Sequence, residues 1–267
     1  MAEASSITII LAGQSNMSGR AGLERVGGRW TWTANTTREA ASLGLLSPTH
    51  GIQMLEVENP SETDKDSPTF KWVPAVEPMH ATVDTKKTCG VGPGLLLAKN
   101  ILASEHHDVD HVRLVPCAVG ETRIEEWQPG SVLYERLIKH GTVELPDVMI
   151  WYQGESDSLN EADADRYENR LLEFLHSVRR DLRNPNLEIV VVVPIGVTTR
   201  LPYIQKVQSS ILGAVLRDPL KQTKIVHIEH SKGQILREDG VHLTLGAQTS
   251  LASQLLESIK FRKRPCT

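Results

Sequence analysis

Three residues near the two ends of the chain have the types and spacing needed for nucleophilic catalysis. Ser15 follows an apolar run, on a tight turn between Gly13 and Met17 whose small and amide side chains let a substrate approach. Asp239 and His242 lie three residues apart, so the carboxylate can accept the Nδ1 proton of the imidazole and leave Nε2 facing a serine. A nucleophile, a base and an orienting carboxylate are the groups that ester hydrolysis requires.

Each of these residues also has an ordinary structural explanation when it is taken alone. A serine after a strand is usually a turn or capping residue, the pair Asp239-Gly240 is typical of a turn, and His242 by itself fits a protein surface. The catalytic interpretation therefore depends on other segments that could complete the site.

Two further polar segments follow apolar runs and are expected to lie beside Ser15. They are Ala118–Thr122 and Tyr152–Asp157. In an open parallel sheet, ligands bind beyond the carboxyl ends of the strands, so residues that follow different strands meet at one edge. The wide sequence separation between Ser15 and His242 is therefore no obstacle to their contact.

Asn16 and Glu155 are possible accessory residues, and each allows two interpretations. Asn16 either assists the binding of a negatively charged oxygen or caps the turn, and we favour the cap. Glu155 is either a second carboxylate near His242 or a buried acid that accepts loop N–H groups, and we favour the buried acid.

The elements that must position these residues alternate between short apolar runs and longer segments of helical period. This alternation predicts an α/β domain with a parallel sheet whose strands are buried on both faces. The predicted strands are Ile7–Ala12, Val112–Cys117, Asp147–Gln153, Ile189–Val193 and Lys224–Ile228. The predicted helices are Gly94–Ser104, Val132–His140, Ala162–Leu182, Tyr203–Leu216 and Leu245–Arg262.

The segment from about residue 20 to residue 89 interrupts this alternation. It contains five prolines, three of the five tryptophans and little sustained periodicity. Long irregular connections are usually functional or disordered, and the tryptophans argue against disorder. We weigh two interpretations equally, an ordered insertion that edges a pocket and a variable surface excursion with a small core of its own. With this insertion, the length of 267 residues predicts one domain spanning residues 1–267.

Four segments, taken together, resemble a known superfamily of enzymes. Gly13–Met17, Gly90–Gly94, Trp151–Ser156 and Asp239–His242 are similar, in type and order, to the blocks of SGNH (GDSL-like) hydrolases. More narrowly, the chain resembles plant probable carbohydrate esterases of carbohydrate esterase family 6, which are related to sialate O-acetylesterases and acetyl xylan esterases. The resemblance implies a flavodoxin-like three-layer α/β/α sandwich with a five-stranded parallel sheet.

The resemblance also implies a role for each matching residue. Ser15 would be the nucleophile, His242 the general base and Asp239 its orienting acid. The oxyanion hole would consist of the backbone N–H groups of Ser15 and Gly92 and the side chain of Gln153, which stands where the superfamily most often has asparagine. The implied reaction is hydrolysis of small acyl esters, in particular O-acetyl esters, of a carbohydrate through an acyl-enzyme, without metal or cofactor.

Composition and charge exclude several other classes of protein. The net charge of −4 supplies no positive field to hold a nucleic acid, and no apolar run approaches the roughly 20 residues that span a membrane. Cys89, Cys117 and Cys266 are widely spaced and suggest neither a disulfide framework nor a zinc site. The N-terminus lacks the basic start of a secretory signal, so we expect a cytoplasmic protein; the residues indicate no oligomeric state.

Two alternative functions are compatible with the same fold. One is a lipase or thioesterase of the same superfamily, and the other is a carbohydrate-binding pseudoenzyme. The presence of every catalytic residue type argues against the pseudoenzyme. The metal-capable side chains of Glu105–His111 are expected at the end of the sheet opposite the candidate site, where they favour a solvated loop over a metal site.

Overall fold

The structure is a computed structural model that describes residues 5–58, 69–105, 108–229 and 233–261. Within the histidine-rich segment, His106 and His107 lie outside the described residues, as do Arg262 at the end of the last predicted helix and Cys266. In the part of the chain that is described, no helix is both long and apolar enough to cross a membrane.

The chain forms nine strands and seven α-helices within these ranges. The strands are Ser6–Gly13 (β1), Glu24–Val26 (β2), Arg29–Thr31 (β3), Ile52–Glu58 (β4), Thr69–Pro74 (β5), His111–Pro116 (β6), Val148–Tyr152 (β7), Glu188–Val192 (β8) and Thr223–Val226 (β9). The helices are Ser15–Ser18 (α1), Ala34–Ser42 (α2), Pro93–Ala103 (α3), Val132–Gly141 (α4), Glu161–Asp181 (α5), Ile204–Arg217 (α6) and Leu245–Ser258 (α7).

The five predicted strands are confirmed as parallel members of a larger sheet. The sheet order is β5-β4-β6-β1-β7-β8-β9, and every neighbouring pair except β4 and β5 is parallel. Counted along the chain, the five predicted strands have the spatial order 2-1-3-4-5, which is the flavodoxin-like order. The α/β/α fold class is therefore confirmed, with β1 central and β6 and β7 on either side of it.

The predicted strand count of five is wrong, because the sheet has seven strands. The two additional strands, β4 and β5, lie in the segment from residue 20 to residue 89 and pair antiparallel with each other at one edge. Strand β4 mixes buried with partly exposed residues and β5 has no buried residue, unlike the fully buried runs of β7 and β8. Strand β5 forms the edge of the sheet and β4 lies next to it, so neither shows the continuous apolar run that identifies a central parallel strand.

The core consists of two apolar layers, one on each face of the sheet. Ile9 and Leu11 of β1 belong to the layer that packs against α3 and α7, whereas Ile10 and Ala12 belong to the layer under α4, α5 and α6. Successive side chains of a strand point to opposite faces, so both layers hold β1 in place. The strand that leads to Ser15 is thus held by packing on both faces of the sheet.

Candidate active site

The turn after β1 fixes the position of Ser15. Gly13 has a φ of +130°, and a Cβ atom there would lie 2.1 Å from the carbonyl oxygen of Tyr152, so no larger residue fits. The next residue, Gln14, donates its N–H to the same carbonyl at 2.9 Å. The chain then enters α1 at Ser15, whose side chain is nearly buried at 4% exposure. Ser15 therefore sits at the carboxyl edge of the central strand, as expected.

The loop before α7 has a shape set largely by Asp239. The Oδ1 atom of this residue accepts the backbone N–H groups of Val241 and His242, both at 2.9 Å. Gly240 adopts a φ of +72°, which suits the tight turn between them. Helix α7 starts directly after this loop, with Thr244 as its N-cap. We refer to residues 239–243 as the histidine loop.

Ser15, His242 and Asp239 lie in one hydrogen-bonded row. The Nε2 atom of His242 is 2.9 Å from Ser15 Oγ, and its Nδ1 atom is 2.9 Å from Asp239 Oδ2. Burial alone would raise the pKa of Asp239, but hydrogen bonds from the His242 imidazole and from backbone N–H groups hold that pKa well below its usual range. The carboxylate is therefore ionised at neutral pH, and the row can transfer the Ser15 proton to His242.

Gln153 is brought to the same edge of the sheet, but its amide is bound by partners outside the serine row. It is fully buried, and its Nε2 atom lies 3.1 Å from Gln14 Oε1, 2.9 Å from the Thr122 carbonyl and 2.6 Å from Asp157 Oδ2. The hydroxyl of Tyr167 donates to the other end of the amide at 3.0 Å. Three acceptors thus surround the nitrogen, and the role of Gln153 in an oxyanion hole stays a prediction.

Gly92 lies behind α1 and forms the N-cap of α3. A Cβ atom at Gly92 would be 2.5 Å from the carbonyl oxygen of Met17, so the two segments pack backbone to backbone. Its N–H faces the carboxyl group of Glu77, which also accepts the Met79 N–H at 2.9 Å. The part of Gly92 in an oxyanion hole likewise stays a prediction. By contrast, the Ser15 N–H donates to no other described residue.

The burial of Glu77 yields a testable effect of pH on stability. Burial raises the pKa of Glu77 from 4.5 to about 8, against hydrogen bonds from backbone N–H groups. Between these values the folded protein retains a proton that the unfolded chain has lost, so Glu77 makes stability fall as pH rises. We expect Glu77→Gln to abolish this decrease in the free energy of unfolding, which is on the order of a few kcal/mol. Urea unfolding of the wild type and of Glu77→Gln at several pH values measures the decrease.

The control for this measurement is Glu257→Gln, an exposed glutamate on α7. This substitution makes the same chemical change at an exposed position. The difference in unfolding free energy between this variant and the wild type should therefore be independent of pH. If the difference in unfolding free energy between wild type and Glu77→Gln were the same at about pH 5 and about pH 8, Glu77 would not retain its proton in the folded protein.

Asn16 does not cap the turn, so that prediction is wrong. No side chain caps α1; the Asn16 amide instead donates to Glu155 Oε1 at 2.6 Å and to the carbonyl of Val241 at 3.1 Å. Glu155 is buried, as favoured, but it accepts a side-chain amide, and its second oxygen has no partner among the described residues. Burial raises the pKa of Glu155 to about 7, against the Asn16 hydrogen bond.

A buried ion pair behind the site was not identified from the sequence. Arg20 contacts Asp84 at 2.6 Å, and the same carboxylate oxygen accepts the Ser18 hydroxyl at 2.8 Å and the Gly120 N–H at 3.0 Å. These bonds join α1 to the loop that follows β6. The Ala118–Thr122 segment, expected at this edge, is therefore present there as a structural support.

A β2–β3 hairpin from the long insertion contacts the histidine loop through one arginine. The guanidinium of Arg237 lies 3.9 Å from the centre of the Trp30 ring and donates to the carbonyls of Arg20 and Leu23. Its backbone N–H donates to the His242 carbonyl at 2.7 Å. Part of the insertion thus borders the candidate site, while β4 and β5 extend the sheet elsewhere.

Metal-binding side chains do not gather at this site. Across the described ranges, no group of three or more His, Cys, Asp or Glu side chains is arranged to hold a metal ion. Cys89 and Cys117 are buried free thiols, and burial raises the pKa of the Cys89 thiol to about 12.

Comparison with known proteins identifies a family over most of the chain. Residues 6–260 match the family described as carbohydrate esterase, sialic acid-specific acetylesterase. A probable carbohydrate esterase of Arabidopsis thaliana is 35% identical over 259 residues, which cover 93% of this chain and 88% of that protein.

Solved structures share the fold of this chain. The crystal structure of an Arabidopsis thaliana protein superposes with a TM-score of 0.75 at 32% identity, covering 96% of this chain and 97% of that one. A carbohydrate acetylesterase from Xanthomonas citri superposes with a TM-score of 0.63 at 17% identity, covering 94% of this chain and 56% of that one. This second likeness shows the fold alone.

Proposed function

Because the chain belongs to the carbohydrate esterase, sialic acid-specific acetylesterase family and is a carboxylic ester hydrolase, we propose that it removes O-acetyl groups from a saccharide through an acyl-enzyme on Ser15. The single observation that carries this mechanism is the row from Ser15 Oγ through the His242 imidazole to Asp239, with both hydrogen bonds at 2.9 Å. Each atom in this row is of the type that the corresponding step of acyl transfer needs.

In the acylation step, Ser15 Oγ attacks the carbonyl carbon of the ester while His242 Nε2 takes the hydroxyl proton. The tetrahedral intermediate then collapses, the bond to the sugar oxygen breaks, and the imidazolium returns the proton to that oxygen as the alcohol leaves. The ionised carboxylate of Asp239 stabilises the transient positive charge on His242 and fixes the ring so that Nε2 faces the serine.

In the deacylation step, the same residues act on a water molecule. His242 takes a proton from water as its oxygen attacks the acetyl carbon, and the proton passes to Ser15 Oγ as the acyl bond breaks. The products are the free serine and acetic acid, which releases its proton to solvent as acetate, and no further reactant is required.

For the oxyanion, we assign the Ser15 N–H as the first donor, since it is free of other partners among the described residues. Gly92 and Gln153 remain the further donors that the family resemblance implies. Each would have to exchange its present partner, the Glu77 carboxyl or the three acceptors around Gln153, for the oxyanion.

Chain-length preference tests the proposed substrate class. We expect hydrolysis of acetyl esters of p-nitrophenol to exceed that of octanoyl esters by on the order of 10²-fold, because the family to which the chain belongs is described as sialic acid-specific acetylesterase. The measurement is kcat/KM for a series of acyl lengths, followed by acetate release from acetylated oligosaccharides. A preference for long chains would favour a lipase or thioesterase instead.

A further inference from the structure

One buried amide, that of Asn16, joins the nucleophile turn to the histidine loop. Its nitrogen donates to the Val241 carbonyl at 3.1 Å, and its oxygen accepts the Leu243 N–H at 2.9 Å. These two partners are the residues on either side of His242, so the amide brackets the backbone of that residue. Asn16 itself is fully buried and directly follows Ser15.

Glu155 is one of three partners that determine the orientation of this amide. The second N–H of Asn16 donates to Glu155 Oε1 at 2.6 Å, so the nitrogen faces two acceptors and the oxygen faces one donor. A flipped amide would place its oxygen against two acceptors and leave the Leu243 N–H without a partner. The backbone carbonyl of Asn16 is fixed as well, since it accepts the Gln248 amide of α7 at 2.9 Å.

The histidine loop needs such an external support. Asp239 accepts N–H groups of Val241 and His242, and Arg237 donates to the His242 carbonyl, so these bonds set the loop's own shape. They do not determine how far the loop stands from Ser15. The Asn16 amide connects the residues next to His242 directly to the nucleophile turn. The loop is also held at other points, by the Arg237 guanidinium on the Arg20 and Leu23 carbonyls and by the Val197 N–H on the Gly240 carbonyl.

We propose that Asn16, oriented by Glu155, is a positioning residue that holds the His242 imidazole at hydrogen-bond distance from Ser15. The proposal rests on the proposed function, in which His242 is the general base. It gives Glu155 a specific task, which is to accept the amide proton that selects one orientation of Asn16. Neither residue contacts the reacting atoms in this assignment.

The test is the isosteric substitution Asn16→Asp, which keeps the shape but replaces the donor nitrogen with an acceptor oxygen facing Val241 and Glu155. We expect kcat/KM for p-nitrophenyl acetate to fall by about 10²-fold, with the loss in kcat and KM changed by less than about threefold, because misplacement of the base affects the chemical step. Asn169→Asp is the matched control: this exposed residue accepts a hydrogen bond from Arg217, which aspartate would also accept.

Two substitutions of Glu155 provide a second test if Asn16→Asp does not fold. Glu155→Gln keeps an acceptor for the Asn16 amide and should retain most of the rate, whereas Glu155→Leu has similar volume without an acceptor and should lose about tenfold in kcat. Equal rates for Gln and Leu at position 155 would overturn the assignment of Glu155. A folded Asn16→Asp variant with kcat within about threefold of wild type would overturn the proposal itself.

A readout independent of turnover separates this proposal from the proposed function. The His242 ring signals, followed by ¹⁵N NMR of labelled protein, should shift in Asn16→Asp and stay constant in Asn169→Asp. Unchanged His242 signals in Asn16→Asp contradict the positioning role whatever the substrate is. The wild type could neither hydrolyse acetyl esters nor react with a fluorophosphonate, while Asn16→Asp still shifts the His242 signals. That outcome would contradict only the proposed function.

Discussion

Replacement of Ser15 by alanine is expected to reduce the hydrolysis of acetyl esters by about 10³-fold or more. The Ser15 hydroxyl is the atom that forms the acyl bond in the proposed mechanism, and its proton acceptor, His242 Nε2, is 2.9 Å away. Alanine removes that oxygen without adding bulk, so the remaining donors and charges can only assist direct attack by water. The loss should be seen in kcat for every ester tested.

The matched control is Ser209→Ala, which changes an exposed serine on α6 and should leave the rate unaltered. A fluorophosphonate should label Ser15 covalently in the wild type and in the control but not in Ser15→Ala, as read by mass spectrometry of the intact protein. Activity of a folded Ser15→Ala variant within about tenfold of wild type would remove Ser15 from the mechanism. Absence of labelling in the wild type would favour the carbohydrate-binding pseudoenzyme.

Replacement of Asp239 by asparagine is expected to lower the maximum rate by on the order of 10²-fold or more and to change the pH profile. Activity of the wild type should fall on acidification, because the base must be neutral to accept the Ser15 proton. Asp239 stays ionised at neutral and mildly acidic pH, since hydrogen bonds from His242 hold its pKa well below its usual value. Loss of this negative charge makes protonation of the neighbouring imidazole less favourable, so the acid limb should move to lower pH.

The measurement is kcat/KM against pH for wild type, Asp239→Asn and two comparisons, with folding checked by circular dichroism. Asp165→Asn, on the exposed face of α5, makes the same chemical change far from the site and should leave the profile in place. Glu155→Gln tests the other carboxylate near the site. Because Glu155 is bonded to Asn16 rather than to His242, this variant is not expected to combine a shifted acid limb with a large loss of rate. A folded Asp239→Asn variant with the wild-type profile and rate would exclude Asp239 as the orienting acid.

The parallel sheet could be predicted from the sequence because each of its strands is identified by its own residues. Strands β1, β7 and β8 are buried along nearly their whole length and consist mostly of apolar side chains, which is a local signal. The helices that follow them were equally evident from their period. Their order in the sheet follows from right-handed crossovers and short connections rather than from any one residue.

The edge pair β4 and β5 could not be predicted in the same way. Strand β5 has no buried residue, and β4 mixes buried with partly exposed residues. The two strands are stabilised by pairing with each other and, for β4, with β6, and these long-range contacts leave no local sequence pattern. The β2–β3 hairpin was missed for the same reason, since each of its strands is only three residues long. Tertiary pairing, not propensity, decides the structure of such short segments.

For the candidate site, the sequence by itself determined the types and order of the reactive residues. Ser15 on its turn and the pair Asp239 and His242 are short-range patterns, and the spacing of the pair already permits the hydrogen bond between them. Only the tertiary structure decided which partners the surrounding amides have. Asn16 meets Glu155 and Val241 across 139 and 225 residues of chain. The direction of a carboxamide depends on the donors and acceptors that the fold brings around it, and a sequence gives the group but not its neighbours.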